Sequence, residues 1–224
     1  MEYPELFAGV EGRGAADAAF ATALRMELCT LKGTDYVGGA VDVFKCFDQL
    51  LRPLIGKVLE AGGMPDRVRS TYCGFLEELT VRNTIAGGVG KRYDRKTGIP
   101  QGDPMSMMAT AILLRPWVLQ MRDEGVTARV LADDLQILSH GKNCAERFRR
   151  AYEQTHSHLM DMGARIQPSK CVVFSNDGAI RQWLRGYRWR QLGTVVDVVN
   201  DCRDLGARIS VTQRKTGGYT NCAH

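Results

Sequence analysis

At 224 residues the chain can form one large domain or two small ones, and its 44% hydrophobic composition is ample for a packed core. No run of about twenty apolar residues exists, which excludes a helical membrane span, and no basic start followed by an apolar stretch marks a secretory leader. Seven cysteines without a Cys-x-x-Cys pair argue against a disulfide framework or zinc knuckle and for a reducing, intracellular setting, while the formal charge of +5 is modest.

Ala15 to Leu31 reads as a helix, and Tyr36 to Phe44 as a strand with the turn signal Gly38-Gly39 and Asp42 at the end of its apolar stretch. Leu50 to Ala61 is helical and stops at Gly62-Gly63. Asp66 to Leu79 is a second helix with Asp66 placed as its cap, and Asp48 is read as the cap of the helix before it. Thr80 to Arg95 has the pattern of a glycine-broken hairpin. Met105 to Met121 forms a helix in which Pro116 introduces a kink. A hairpin from Thr127 to Ser139 follows, its turn on the acidic pair Asp133-Asp134, then a long helix from Asn143 to Met162. Arg165 to Ser175 reads as a strand, and short strands and turns make up the rest. Helices alternating with antiparallel strands predict an α+β class, a sheet with helices packed on one side.

Two adjacent carboxylates between apolar β-runs, Val130-Leu131-Ala132-Asp133-Asp134-Leu135, repel each other unless a cation neutralises them. If the Asp42 strand lies in the same sheet, Asp42, Asp133 and Asp134 offer three carboxylates to an oxygen-preferring ion such as Mg²⁺. Between these elements lies a Gly/Pro-punctuated loop, Gly98-Ile99-Pro100-Gln101-Gly102. Its glycines allow close approach of backbone to a ligand, and Gln101 can hydrogen-bond a sugar, a phosphate or a base edge.

In that order, Asp42…Phe47-Asp48, Gly98-Ile99-Pro100-Gln101-Gly102 and Ala132-Asp133-Asp134 resemble the signature of reverse transcriptases, in particular those of non-LTR (LINE-type) retrotransposons. Weaker similarities flank them: Gly9 to Ala19 resembles the fingers segment, and Met162 to Lys170 the Gly…Asn-x-x-Lys element with Gln167 in place of asparagine. Arg203 to Ala207, with Leu205-Gly206, resembles the primer-grip turn, for which Arg190-Gln191-Leu192-Gly193 competes. Leu131 and Met107 depart from the pattern where relatives carry an aromatic and a proline.

The resemblance implies a polymerase palm with partial fingers and a thumb largely absent. Residues 1–36 would be partial fingers, 37–50 the first palm segment, 51–100 fingers or connection, 101–200 the rest of the palm, and 201–224 the primer grip and start of a thumb. It also implies RNA-directed DNA synthesis by two Mg²⁺ ions, with Mn²⁺ as the alternative, on Asp42, Asp133 and Asp134 with the Val43 carbonyl. Nucleotide contacts would come from Phe47, Gln101, Gly102, Lys170 and Arg13. Phe47, five residues past Asp42, would be the floor under the sugar that rejects a 2′-hydroxyl; the plain alternative is a core ring. Lys170 would supply a proton to the departing pyrophosphate, or be a surface lysine.

Partners would be an RNA or DNA template with its primer and deoxynucleoside triphosphates, with no membrane; oligomeric state is left open. A nuclear location follows from the resemblance alone. The whole charge surplus lies between Arg181 and Lys215, eight basic residues against three acids, with Trp183, Tyr187 and Trp189 between Arg181, Arg185, Arg188 and Arg190. With the motifs upstream, this reads as a primer–template surface. The rivals are a catalytically decayed nucleic-acid-binding remnant, or another palm enzyme such as an RNA polymerase or nucleotide cyclase.

Overall fold

Gly38 and Gly39, a turn signal in the sequence, lie inside the central strand β1 (Tyr36–Val41). A Cβ on Gly38 would stand 2.6 Å from the Phe174 ring, and one on Gly39 3.0 Å from the rings of Phe148 and Tyr152. The glycines therefore let aromatic rings press on the sheet from both sides, a tertiary demand that outweighs their local turn preference. The structure is a computed structural model that describes residues 4–7, 11–204 and 207–211.

α1 (Ala15–Leu31) precedes β1, and α2 (Cys46–Gln49), α3 (Arg52–Ala61) and α4 (Asp66–Glu77) follow it. Four two-residue strands come next: β2 (Thr80–Val81), β3 (Thr84–Ile85), β4 (Gly88–Val89) and β5 (Tyr93–Asp94). Then come α5 (Pro104–Asp123), β6 (Thr127–Leu131), β7 (Asp134–His140) and α6 (Cys144–Asp161). A 3₁₀ turn (Pro168–Lys170), β8 (Val172–Ser175), α7 (Gly178–Gly186), β9 (Asp197–Val198), β10 (Asp201–Asp204) and β11 (Ala207–Ser210) complete the order.

The main sheet runs β6-β7-β1-β8-β9, antiparallel except for the parallel β8–β9 pair. Period-2 alternation gives it two faces. Val37, Val41, Leu135, Ile137 and Val173 join the large core with Trp117 of α5 and Phe148 and Tyr152 of α6. Tyr36, Leu138 and Phe174 join Met26 and Cys29 of α1 in a smaller one. The helical layer expected on one side is thus α5 and α6, and α1 covers part of the other face. Where α1 crosses β7, the buried Thr22 hydroxyl hydrogen-bonds the Gln136 side chain. Each fully buried side chain of this size contributes roughly 1.5–3 kcal/mol.

Several elements differ from their sequence reading. Asp66 sits in the first turn of α4, whose cap is Pro65, and Asp48 lies in α2, paired with Arg95, while the cap of α3 is Leu51. Asp103 caps α5 by accepting from the Met105 N–H (3.2 Å), and α5 continues through Pro116. The strand expected over 165–175 is broken by the 3₁₀ turn, where Pro168 has no N–H to give a ladder. Asp177 caps α7, accepting from the Ile180 N–H (2.7 Å), where only strands and turns were expected. Trp189 is fully buried, packed against Phe148, Tyr152 and Tyr187, so the aromatics of this basic segment serve the core.

Candidate active site at the end of the central sheet

Strand register carries the three carboxylates to one end of the sheet. β1 pairs with β7 up to Val41 opposite Leu135, so one step further Asp42 falls opposite Asp134. On its other side β1 pairs Ala40 with Val172, and the 3₁₀ turn just before β8 carries Lys170, whose ammonium lies 3.7 Å from the Asp42 carboxylate. The β6–β7 turn consists of Ala132 and Asp133, with Asp134 already the first residue of β7, so the turn falls one residue earlier than the sequence indicates. Ala132 holds the left-handed conformation (φ 57) that so short a hairpin requires.

Asp133 is half-buried, and burial pushes its carboxyl pKa up, with the neighbouring charge of Asp42 adding to the shift. Asp134 faces solvent. Buried Cys46 is pushed up to about 12, by desolvation first and by Asp133 second, so this thiol stays protonated at neutral pH and offers no soft thiolate ligand. Hard carboxylate oxygens gathered at one sheet end, one of them resisting ionisation through burial and a neighbouring charge, fit a divalent, oxygen-preferring cation. Among the described residues, no three acidic, thiol or imidazole groups are drawn together tightly enough to enclose an ion. The arrangement is open, and Lys170 serves Asp42 as its cation.

Val43 is buried and forms a β-bridge with Ile166, while the Asp42 carbonyl accepts from the Gln167 N–H (3.1 Å). These bonds fix the backbone on which the first carboxylate stands. Phe47 is buried in the main core, and its carbonyl accepts from the Ile99 N–H (2.7 Å). Gly98 donates to the Leu50 carbonyl (2.9 Å), and Arg52 Nε donates to the Gly98 carbonyl (2.9 Å). The Gly98–Gly102 loop is thereby stitched to the segment carrying Phe47, with Gln101 and Gly102 exposed beyond it. Its far end is held by Tyr72, which donates to Asp103 Oδ2 (2.7 Å), and by Ser106, which donates to the Pro100 carbonyl (2.7 Å).

A contact the sequence did not reveal braces the hairpin. Val130 donates to the Glu5 carbonyl (2.8 Å) and accepts from the Phe7 N–H (3.0 Å), so Glu5–Phe7 covers the outer edge of β6. Glu5 also takes a two-point bond from Arg122 (2.6 and 2.7 Å). Arg13 donates to the Leu6 carbonyl (3.4 Å) and lies over the Phe7 ring, which puts it on this brace. Only the pairing reveals it, because four described residues carry no periodicity.

Of the basic residues assigned to primer and template, Arg185 and Arg190 are exposed, and Arg188 Nη1 donates to the Gly193 carbonyl (3.3 Å). Arg181 is half-buried and donates to the Ser175 carbonyl (2.7 Å), tying α7 to β8. Leu205 and Gly206 lie outside the described residues.

A family model described as reverse transcriptase (RNA-dependent DNA polymerase) matches residues 5–212. Among curated proteins the chain is similar to the Retrovirus-related Pol polyprotein from type-1 retrotransposable element R2 of Popillia japonica, at 23% identity over 160 residues. That match takes in 67% of this chain and 26% of the relative, so the chain spans about a quarter of the relative's length. Solved structures with the same fold include apo telomerase from Candida tropicalis truncated from the C-terminal domain (TM-score 0.60, 15% identity, 92% of this chain and 39% of that one). Another is the telomerase of that organism in complex with the TWJ fragment of telomeric RNA (TM-score 0.58, 12% identity, 78% and 30%). The aspartate strand, the Gly98–Gly102 loop and the Asp133-Asp134 hairpin all fall inside the matched span, on a fold shared with telomerase: the chain belongs to the reverse transcriptases, the RNA-dependent DNA polymerase family.

Proposed function

We propose that this chain copies an RNA template into DNA by nucleotidyl transfer at the end of its central sheet, as the polymerase segment of a longer retroelement protein. The observation that supports this most is the register that sets Asp42 beside Asp134, with Asp133 destabilised in its ionised form by burial and by Asp42. In this reading Asp42 and Asp133 hold two Mg²⁺ (or Mn²⁺) ions, with Asp134 and the Val43 carbonyl assisting. When bound, the ions would lower the pKa of the primer 3′-hydroxyl and neutralise charge on the triphosphate and pyrophosphate.

The rest is work for the chain's own groups. Lys170, exposed and within ion-pair reach of Asp42, turns to the leaving phosphates once that carboxylate is otherwise occupied, and can hand over a proton there. Gln101 and Gly102 present the exposed rim of the loop to the nucleotide or the template backbone, and Arg13 approaches from the β6 edge. Phe47, held under the loop by the Ile99 bond, supplies a rigid apolar floor on which a 2′-hydroxyl finds neither space nor a hydrogen-bond partner. Arg185 on α7 and Arg188 and Arg190 just beyond it line the primer–template side, with Arg181 positioning the helix.

Primer extension on an RNA template with Mg²⁺ tests this reading, comparing deoxynucleotides with ribonucleotides. Deoxynucleotides alone should be incorporated. Phe47→Ala should relax sugar discrimination by roughly 10- to 200-fold, the range for removing one steric element of a pocket. Unchanged discrimination in that variant would remove Phe47 from the nucleotide site, and absence of extension by the unaltered chain would remove the polymerase reading.

A further inference from the structure

Strands β2–β5 build a narrow ribbon between α4 and the Gly98–Gly102 loop. Thr80 pairs with Asp94 and Val81 with Tyr93 at its base, and Thr84 with Val89 and Ile85 with Gly88 near its tip. The Gly90 N–H donates to the Asn83 carbonyl (2.8 Å), joining the two halves into one arm. At the tip Ala86 and Gly87 both take left-handed backbone (φ 49 and 82), the two-residue turn that matches strand twist.

Every residue from Arg82 to Asp94 is exposed. Ile85 is 78% and Val89 63% exposed; Val89 shares a face with Thr84 and Ile85 with Gly88, so each face of the ribbon near its tip carries one apolar side chain without cover among the described residues. A lone two-stranded ribbon gains little stability in water, so this arm offers surface to a partner rather than to a core of its own. Charge identifies the partner. Arg82, Lys91 and Arg92 have no carboxylate within ion-pair distance among the described residues, whereas Lys96 pairs with Asp94 and Arg95 with Asp48. No acid lies between Arg82 and Tyr93, so the arm presents these cations unopposed, as phosphate backbones recruit Lys and Arg.

The base of the arm sits at the candidate site. The Arg95 N–H donates to the Leu79 carbonyl (3.2 Å), and the Arg95 guanidinium pairs with Asp48, the residue after Phe47. The Thr97 hydroxyl donates to the Asp48 carbonyl (3.1 Å). A strand held on this arm therefore lies next to the nucleotide floor.

We propose that the β2–β5 arm is a nucleic-acid grip, with Arg82, Lys91 and Arg92 on backbone phosphates and Ile85 and Val89 against sugar and base faces. It rests on the polymerase reading for the identity of the strand, a primer–template duplex or its single-stranded overhang.

The test is binding of a fluorescent RNA–DNA primer–template by the full chain, followed by anisotropy from about 50 to 200 mM salt. R82Q/K91Q/R92Q should lower the slope of log affinity against log salt by about two to three, at roughly 0.7–0.9 for each phosphate no longer neutralised. I85S/V89S should weaken binding several-fold with the slope unchanged. All five positions are exposed, so melting temperatures near that of the unaltered chain are expected for both variants. An unaltered slope in the triple variant overturns the grip. So does a tip variant that binds nucleic acid as before but turns a self-associating chain into a monomer by light scattering, since the tip would then dock a second copy. A chain that extends primers with an arm-independent slope sinks the grip alone. One that binds through the arm but extends nothing sinks the polymerase reading alone.

Discussion

Asp133→Asn should abolish primer extension and, at neutral pH, raise the melting temperature. Loss of activity on the order of 10³-fold or more is expected, because the substitution removes a carboxylate that would hold the cations which stabilise charge at the reacting phosphate. The gain in stability follows from the raised pKa of Asp133, which burial causes first and Asp42 second. A carboxyl raised in the folded state contributes its stability below the unfolded value near 3.8 and loses it as pH rises through the folded value. At neutral pH the ionised group therefore works against folding, and asparagine removes that penalty while keeping the shape. The difference in Tm between variant and unaltered chain should be small near pH 4 and grow to a few degrees by pH 7.5. Added Mn²⁺ should shrink it, since binding stabilises only the chain that keeps the carboxylate. A variant less stable than the unaltered chain at neutral pH would show that Asp133 is held by favourable contacts rather than penalised by burial and by Asp42.

Gly98→Ala should destabilise the fold far more than Gly102→Ala, although both glycines hold left-handed backbone (φ 77 and 86). A Cβ on Gly98 would stand 2.4 Å from the Phe47 carbonyl oxygen and 2.5 Å from the Asp48 carbonyl, both backbone atoms that cannot swing away. A Cβ on Gly102 meets nothing within 4 Å. Left-handed strain alone costs roughly 1–2 kcal/mol, and a backbone collision in a packed site adds about 1–3 kcal/mol. Gly98→Ala should thus lower Tm by on the order of 10 °C and Gly102→Ala by a few degrees, at roughly 2–4 °C per kcal/mol for a domain of this size. Because the collision would push the Phe47 segment, nucleotide KM should rise in Gly98→Ala. Equal thermal losses in the two variants would mean that the loop is not clamped against Phe47 and Asp48.

The parts of the site legible in the sequence are those whose chemistry admits few substitutes. Asp42, Asp133 and Asp134 stood out as candidates because carboxylates between apolar β-runs repel each other unless a cation neutralises them, and Gly98 through its loop motif, although what requires glycine there is the Phe47–Asp48 backbone rather than a ligand. The hairpin and the long helices around it could be read from periodicity, since α5 and α6 run for 20 and 18 residues. What escaped was set by distant partners. Gly38-Gly39 has the local character of a turn, and only the rings of Phe174, Phe148 and Tyr152 show why it lies in a strand. Trp189 among arginines resembles a stacking platform until the core closes over it. Helix α7, nine residues from Gly178 to Gly186, is too short for a periodic signal, and its Asp177 cap was the one mark that could have exposed it. The approach of Asp42 to the hairpin and to Lys170 depends on strands about a hundred residues apart pairing beside it, which no local pattern encodes.

Mn²⁺ binding in the presence of a deoxynucleoside triphosphate, followed by electron paramagnetic resonance, asks directly whether Asp42 and the hairpin turn serve one cation site. The unaltered chain should bind, and Asp42→Asn and Asp133→Asn should each weaken binding at least about 10-fold, as loss of a supporting group at a metal site already does. The double variant should be little worse than the poorer single one, because both groups act on the same ions. Undiminished Mn²⁺ affinity in Asp42→Asn would contradict a shared site.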